Sequence, residues 1–122
     1  MKQRKGIVTT LLLIVLAVVA LARDGREQQR IDYLIQSLSS LPGAVFIRNG
    51  KEYGAKDAQE HLRQKLNYGG ERVKTAEIFI DYCASESSIS HRPYQIRFAD
   101  GRVTNTSTFF HERLKEYDAK PH

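Results

Sequence analysis

The chain begins with a stretch that has no two-sided pattern. Lys2, Arg4 and Lys5 lead into an uncharged run from Gly6 to Ala22 whose centre reads LLLIVLAVVALA. Its 16 residues from Ile7 to Ala22 fall between the roughly 7–15 of a cleavable signal and the about 20 of a membrane span. Ala20-Leu21-Ala22 supplies the small-x-small triplet that signal peptidase cuts after. Residues 1–22 are therefore expected to be a signal peptide or, if uncut, an N-terminal membrane anchor. The flanking cations favour an N-terminus in the cytoplasm and a domain outside it.

From Arg23 the pattern changes. Residues 23–30 (RDGREQQR) are wholly polar and are expected to fray or act as a tether. Ile31, Leu34, Ile35, Leu38 and Leu41 then recur at the three-and-four spacing of one apolar stripe, predicting a helix over Asp24–Leu41 that Pro42-Gly43 stops. Asn49-Gly50 tolerates the positive φ of a two-residue type I′ turn, so Val45–Arg48 and Lys51–Tyr53 should pair as a hairpin, Phe46 facing Tyr53 and Arg48 facing Lys51. Ala55, Ala58, Leu62 and Leu66 predict a second helix, Ala55–Tyr68, ended by Gly69-Gly70. Ala76, Phe79, Ile80 and Cys83 predict a third with Thr75 as its N-cap, which buries Cys83.

A serine-rich connection, Ala84–Pro93, feeds a second hairpin: Tyr94–Phe98, a turn at Asp100-Gly101, and Val103–Asn105. Tyr94, Ile96, Phe98 and Val103 are expected on one face of it, Gln95, Arg97, Arg102 and Thr104 on the other. Phe109, Phe110, Leu114 and Tyr117 predict a last helix over Thr108–Tyr117, and residues 118–122 a loose tail. The fold expected for residues 31–117 is α+β, with about four helices on one face of a small antiparallel sheet built from two β-hairpins.

Charge and cysteine content narrow the function classes. Three of the 19 Lys+Arg sit in the leader, so the remaining residues carry 16 cations against 14 acids and most of the formal charge of +5 belongs to targeting. That leaves no dense basic face, and nucleic acid is not an expected partner. The one cysteine, Cys83, precludes an intrachain disulfide, so packing alone must hold the exported domain.

Two sets of residues carry candidate chemistry. Ser85, Ser87, Ser88 and Ser90, with His61, His91 and Asp81, are the parts of a hydrolase, Ser87 or Ser88 being the nucleophile. No Gly-x-Ser-x-Gly elbow or Ser-x-x-Lys accompanies them, and the plainer reading is a polar loop whose hydroxyls satisfy backbone groups. The second set is cationic: Arg48 and Lys51 at the first turn, His61, Arg63 and Lys65 on the second helix, then Arg72 and Lys74 before the helix N-terminus at Thr75. Arg48, His61, Arg63, Lys65, Lys74 and Thr75 are the candidates for a small anion pocket, because free N–H groups at a helix start bind anions. The alternative is a solvated face with Glu52, Glu60, Glu71 and Glu77 as counter-charges. His61, His91, His111 and His122 share no ligand spacing, so neither a metal nor a cofactor is expected.

Separated blocks of the domain resemble the YfeK-like family of small exported bacterial proteins of unknown function. They are Phe46-Ile-Arg-Asn-Gly50; His61-Leu-Arg63 with Lys65; Thr75-Ala-Glu77 with Phe79-Ile-Asp81; and Ser85, Ser87-Ser88, Ser90 and Pro93-Tyr94. Gly54 departs from the serine or threonine cap expected there. The resemblance spans about Ile31 to Tyr117 and implies a periplasmic protein of Gram-negative origin; it carries no activity. With no complete catalytic constellation, the expected function is a non-enzymatic binding module of the envelope, facing an envelope protein or a small anionic ligand. A small serine/histidine hydrolase and a membrane-tethered accessory protein, on the inner membrane, are the alternatives.

Overall fold

The computed structural model describes residues 23–122; the expected signal or anchor helix lies outside the described residues. The elements are α1 (Gly25–Ser37) with a 3₁₀ turn at Leu38–Ser40, β1 (Val45–Arg48), β2 (Lys51–Tyr53), α2 (Ala55–Gly69), a 3₁₀ turn at Gly70–Arg72, α3 (Ala76–Phe79) running on as a π-turn at Ile80–Ala84, β3 (Gln95–Arg97), β4 (Val103–Asn105) and α4 (Thr106–Asp118). The four helices and the four-stranded antiparallel sheet make the fold α+β. The strand order β2-β1-β3-β4 shows that the two hairpins join through their first strands, with Phe46 opposite Ile96.

The core follows the apolar stripes. Ile31, Leu34 and Ile35 from α1, Leu62 and Leu66 from α2, Phe79, Ile80 and Cys83 from the third helix, and Phe109, Phe110 and Leu114 from α4 are buried against Phe46 and Ile96 of the sheet. Thr75 caps α3 by accepting the Ile78 N–H at 3.1 Å. After Phe79 the helix loosens into the π-turn, and Ser85 Oγ donates to the Ile80 carbonyl at 2.6 Å. α2 begins at Gly54 with no side-chain cap, as the missing hydroxyl implied.

The first hairpin has the expected register, Phe46↔Tyr53 and Arg48↔Lys51, with Asn49 at φ 51 and Gly50 at φ 74 in its turn. The second does not. Phe98 N–H donates to the Arg102 carbonyl and Gly101 N–H to the Phe98 carbonyl, so the loop has three residues and closes on Gly101 at φ 91. That extra residue shifts β4 by one position: Thr104 faces Ile96, while Val103 faces Arg97 and is exposed. A one-residue slip exchanges the faces of a strand, which is why the expected positions of Val103 and Thr104 are reversed. α4 also starts two residues earlier than Thr108, because Thr106 donates through its backbone to the Tyr94 carbonyl and through its hydroxyl to that of Ala84.

Residues 23–30, read as a tether, are instead mostly ordered α1. Asp24 caps the helix by accepting the Arg26 N–H at 2.7 Å. Arg30 is 8% exposed and meets three carboxylates, Glu27 at 2.6 Å, Glu77 at 2.7 Å and Asp118 at 2.8 Å, tying α1 to α3 and α4. Its planar fork bonds both Glu77 and Asp118 in bidentate fashion. Ahead of it, Arg23 Nε donates to the Val73 carbonyl at 2.7 Å. Charge pairing, not an apolar stripe, fixes these two turns.

Candidate functional site

Arg48 lies two residues beyond Phe46 and so shares its strand face, the one that α2 covers. α2 presents His61 and Lys65 one turn apart toward it. Arg48 Nη1 sits 2.7 Å from His61 Nδ1, and Arg48 Nη2 donates to Tyr53 Oη at 3.0 Å. The same Nη1 lies 3.2 Å from His61 Nε2, and the guanidinium, which can only donate, is shared between the two ring nitrogens. Nε2 is 3.1 Å from Tyr94 Oη, and Lys65 Nζ donates to that oxygen at 3.1 Å and to the Glu86 carbonyl at 3.1 Å. Tyr94 Oη accepts from Lys65, and the direction of its bond with Nε2 is set by the His61 tautomer.

The electrostatics follow from this packing. Burial, reinforced by the charges of Arg48 and Lys65, holds His61 down at about 4, so it is neutral at physiological pH. Burial likewise lowers Lys65 and raises Tyr94. The rings of Tyr53 and Tyr94 lie beneath Arg48 and Lys65, each 5.0 Å from its cation, a contact that offsets part of their desolvation. Neither Arg48 nor Lys65 has a carboxylate partner among the described residues.

A cavity of about 260 Å³ opens beside this group. Leu38, Phe46, Leu62 and Phe110 give it an apolar floor, with Arg48 and Tyr94 in its wall. Asp57 and Glu60 of α2 contribute carboxylates to the same lining.

Of the anion candidates, the structure brings together Arg48, His61 and Lys65. Arg63 is directed elsewhere, 3.6 Å from Asp32 of α1. Lys74 is exposed, and Thr75 is engaged in its cap. The helix start at Thr75 is already occupied: Ala76 N–H donates to Glu27 Oε1 at 3.0 Å. Tyr53 and Tyr94 escaped the sequence reading because both fit the apolar face of a strand. The signal for this site was Arg48 itself, a cation at a core-facing register position.

The hydrolase parts are not assembled. Ser87 Oγ accepts from the backbone of Ile89 and Ser90 and from Asn49 Nδ2, each at 3.4 Å. Ser88 is exposed, Asp81 is 3.7 Å from His111, and His91 is 3.8 Å from Glu86. No serine hydroxyl among the described residues bonds a histidine. The serine loop instead splints the first hairpin: Ser90 Oγ donates to Asn49 Oδ1, and the loop delivers the Glu86 carbonyl to Lys65. Among the described residues no group of His, Cys, Asp and Glu is placed to hold a metal ion, and no helix is long and apolar enough to cross a membrane.

Residues 25–118 match the model of a family described as "Family of unknown function (DUF5329)". The chain belongs to this family. Within it, the DUF5329 chain is similar to "Uncharacterized protein YfeK" of Salmonella typhimurium, 37% identical over 91 residues that cover 74% of this chain and 76% of the relative. The YfeK-like resemblance is thereby shown, and it brings no activity with it. No solved structure matches this DUF5329 chain.

Proposed function

We propose that this domain is a non-enzymatic binding module of the bacterial envelope, delivered out of the cytoplasm by residues 1–22, and that its cavity takes the anionic group of a small molecule. One observation carries the reading: Arg48 is half-buried at a cavity wall, hydrogen-bonded to a neutral imidazole and a phenol, with no ion-pair partner among the described residues. A desolvated cation without a counter-charge is costly unless a ligand provides one. The Tyr94 hydroxyl adds a second polar group in the same wall. An apolar floor beside a few convergent polar groups is the usual form of a small-molecule site.

The test is calorimetric titration of the full-length protein in mild detergent with 3-phenylpropanoate, which joins a carboxylate to an apolar body. Saturable binding that Arg48→Gln abolishes while circular dichroism is retained supports the reading. Equal binding by the two proteins, or none by either, rejects it. Export is tested separately by fractionation and N-terminal sequencing. A soluble product starting at Arg23 indicates cleavage, and a pelleted product retaining Lys2 indicates an inner-membrane anchor. Recovery of the intact chain in the cytosol rejects export.

A further inference from the structure

Arg48 is not the only unpaired charge around the cavity. Asp57 and Glu60 line it as well, both exposed and neither in an ion pair among the described residues. They sit on the turn of α2 that precedes His61, and Asp57 is one full turn before it. Residues four apart on a helix have Cβ atoms about 5–6 Å from each other. Asp57 thus shares a face of α2 with His61, and Arg48, which is bonded to His61, lines the same cavity as Asp57 and Glu60.

A simple anion fits this wall poorly. It would satisfy Arg48, but Asp57 and Glu60 share the lining, and like charges at a cavity lining repel an incoming ligand. A simple cation meets the opposite problem at Arg48. The complementary ligand carries both signs close together on an apolar body. We infer that the cavity binds a free α-amino acid with an apolar side chain, its carboxylate on Arg48 and Tyr94 and its ammonium toward Asp57 and Glu60. The side chain then rests on Leu38, Phe46, Leu62 and Phe110.

The size agrees. About 260 Å³ is just under the ~300–1,000 Å³ of pockets for drug-sized ligands, and it holds one such molecule but neither an extended peptide nor a glycan chain. Neutral His61 keeps Arg48 in place without cancelling its charge. The Tyr94 side chain lines the same cavity, its oxygen already accepting from Lys65, so the hydroxyl proton is what it offers a second carboxylate oxygen.

This inference rests on the proposed small-molecule pocket, and one ligand series separates the two. Full-length protein is titrated with L-phenylalanine, with 3-phenylpropanoate, which lacks the amine, and with phenethylamine, which lacks the carboxylate. Phenylalanine is expected to bind up to about fivefold more tightly than 3-phenylpropanoate, the upper end of the range of exposed ion pairs. Phenethylamine is expected to bind more weakly than either. The double variant Asp57→Asn, Glu60→Gln should remove the advantage of phenylalanine and leave 3-phenylpropanoate binding intact or improved. Equal affinities for phenylalanine and 3-phenylpropanoate would overturn the amino-acid inference and leave the anionic pocket standing. Tightest binding by phenethylamine, or no binding by any of the three, would overturn both.

Discussion

Arg48 and His61 are held 2.7 Å apart, a guanidinium donating to an imidazole that burial, reinforced by the charges of Arg48 and Lys65, keeps neutral. The consequence is a titration. His61 falls from an ordinary 6.5 to about 4 in the native state. Between those values the unfolded chain takes up a proton that the folded chain refuses. Stability is therefore full above pH 6.5, declines as pH falls through that window, and levels off near pH 4. At about 1.4 kcal/mol per unit the full shift is worth about 3.5 kcal/mol, and solvent screening at this half-buried ring reduces the expected loss to on the order of 2–3 kcal/mol. Urea unfolding across this range should show the decline, and His61→Gln should flatten it; an unchanged slope in the variant would remove His61 as its source.

Tyr94→Phe removes the oxygen that bonds both His61 and Lys65. A loss of about 1–2 kcal/mol is expected, since Lys65 keeps the Glu86 carbonyl while His61 Nε2 is left without this partner. The urea midpoint measures it. A midpoint equal to that of the parent would mean that these bonds add nothing net.

Arg30→Met leaves Glu27, Glu77 and Asp118 facing one another across three helices. Breaking a fully buried pair costs about 3–5 kcal/mol. The side chains of Glu77 and Asp118 are 53% and 43% exposed, so roughly 2–3 kcal/mol is expected at neutral pH. The hydrogen bond from Arg30 holds Glu77 below its ordinary 4.5. That contribution is present above pH 4.5 and is lost as acid protonates the folded carboxylate, so the gap between variant and parent should narrow on acidification. Thermal unfolding at neutral and acid pH checks both the size and the trend.

Gly43→Ala is expected to destabilise by about 1–2 kcal/mol, the cost of a left-handed conformation for a residue with a Cβ. Gly43 has φ +75, and an added methyl would lie 2.9 Å from Ala99 Cβ, jamming the α1–β1 connection against the second hairpin. Gly25→Ala is the control: nothing lies within 4 Å and the position is helical, so its stability should be unchanged or slightly raised. Equal effects at the two sites would show that the Gly43 contact carries no strain.

Local chemistry was legible where a residue type permits only one geometry. Asn49-Gly50 fixed the first hairpin, Thr75 its cap, and the spacing of Phe79, Ile80 and Cys83 their burial. Asp100-Gly101 was ambiguous, because a glycine in the left-handed region serves equally in a two-residue turn or as the last residue of a three-residue one, and the two differ by a strand flip. The π-turn left no trace, since the same side chains are buried with or without the extra residue per turn. At the site, β periodicity put Arg48 beside Phe46, but its meeting with His61 depends on how α2 crosses the sheet, which no local pattern encodes. Arg63, two positions after His61, points away from it on any helix. Arg30 was invisible to hydrophobic patterning because what orders it is Asp118, 88 positions away.

The Glu27 carboxylate that closes the start of α3 has a practical corollary for anyone drawing a boundary for recombinant work. A fragment begun at Ile31, where the greasy periodicity sets in, would strip the amide of Ala76 of its acceptor and leave Glu77 and Asp118 without their shared cation. A boundary no later than Arg23 keeps these bonds together with those from its own side chain to the Val73 and Gly70 carbonyls.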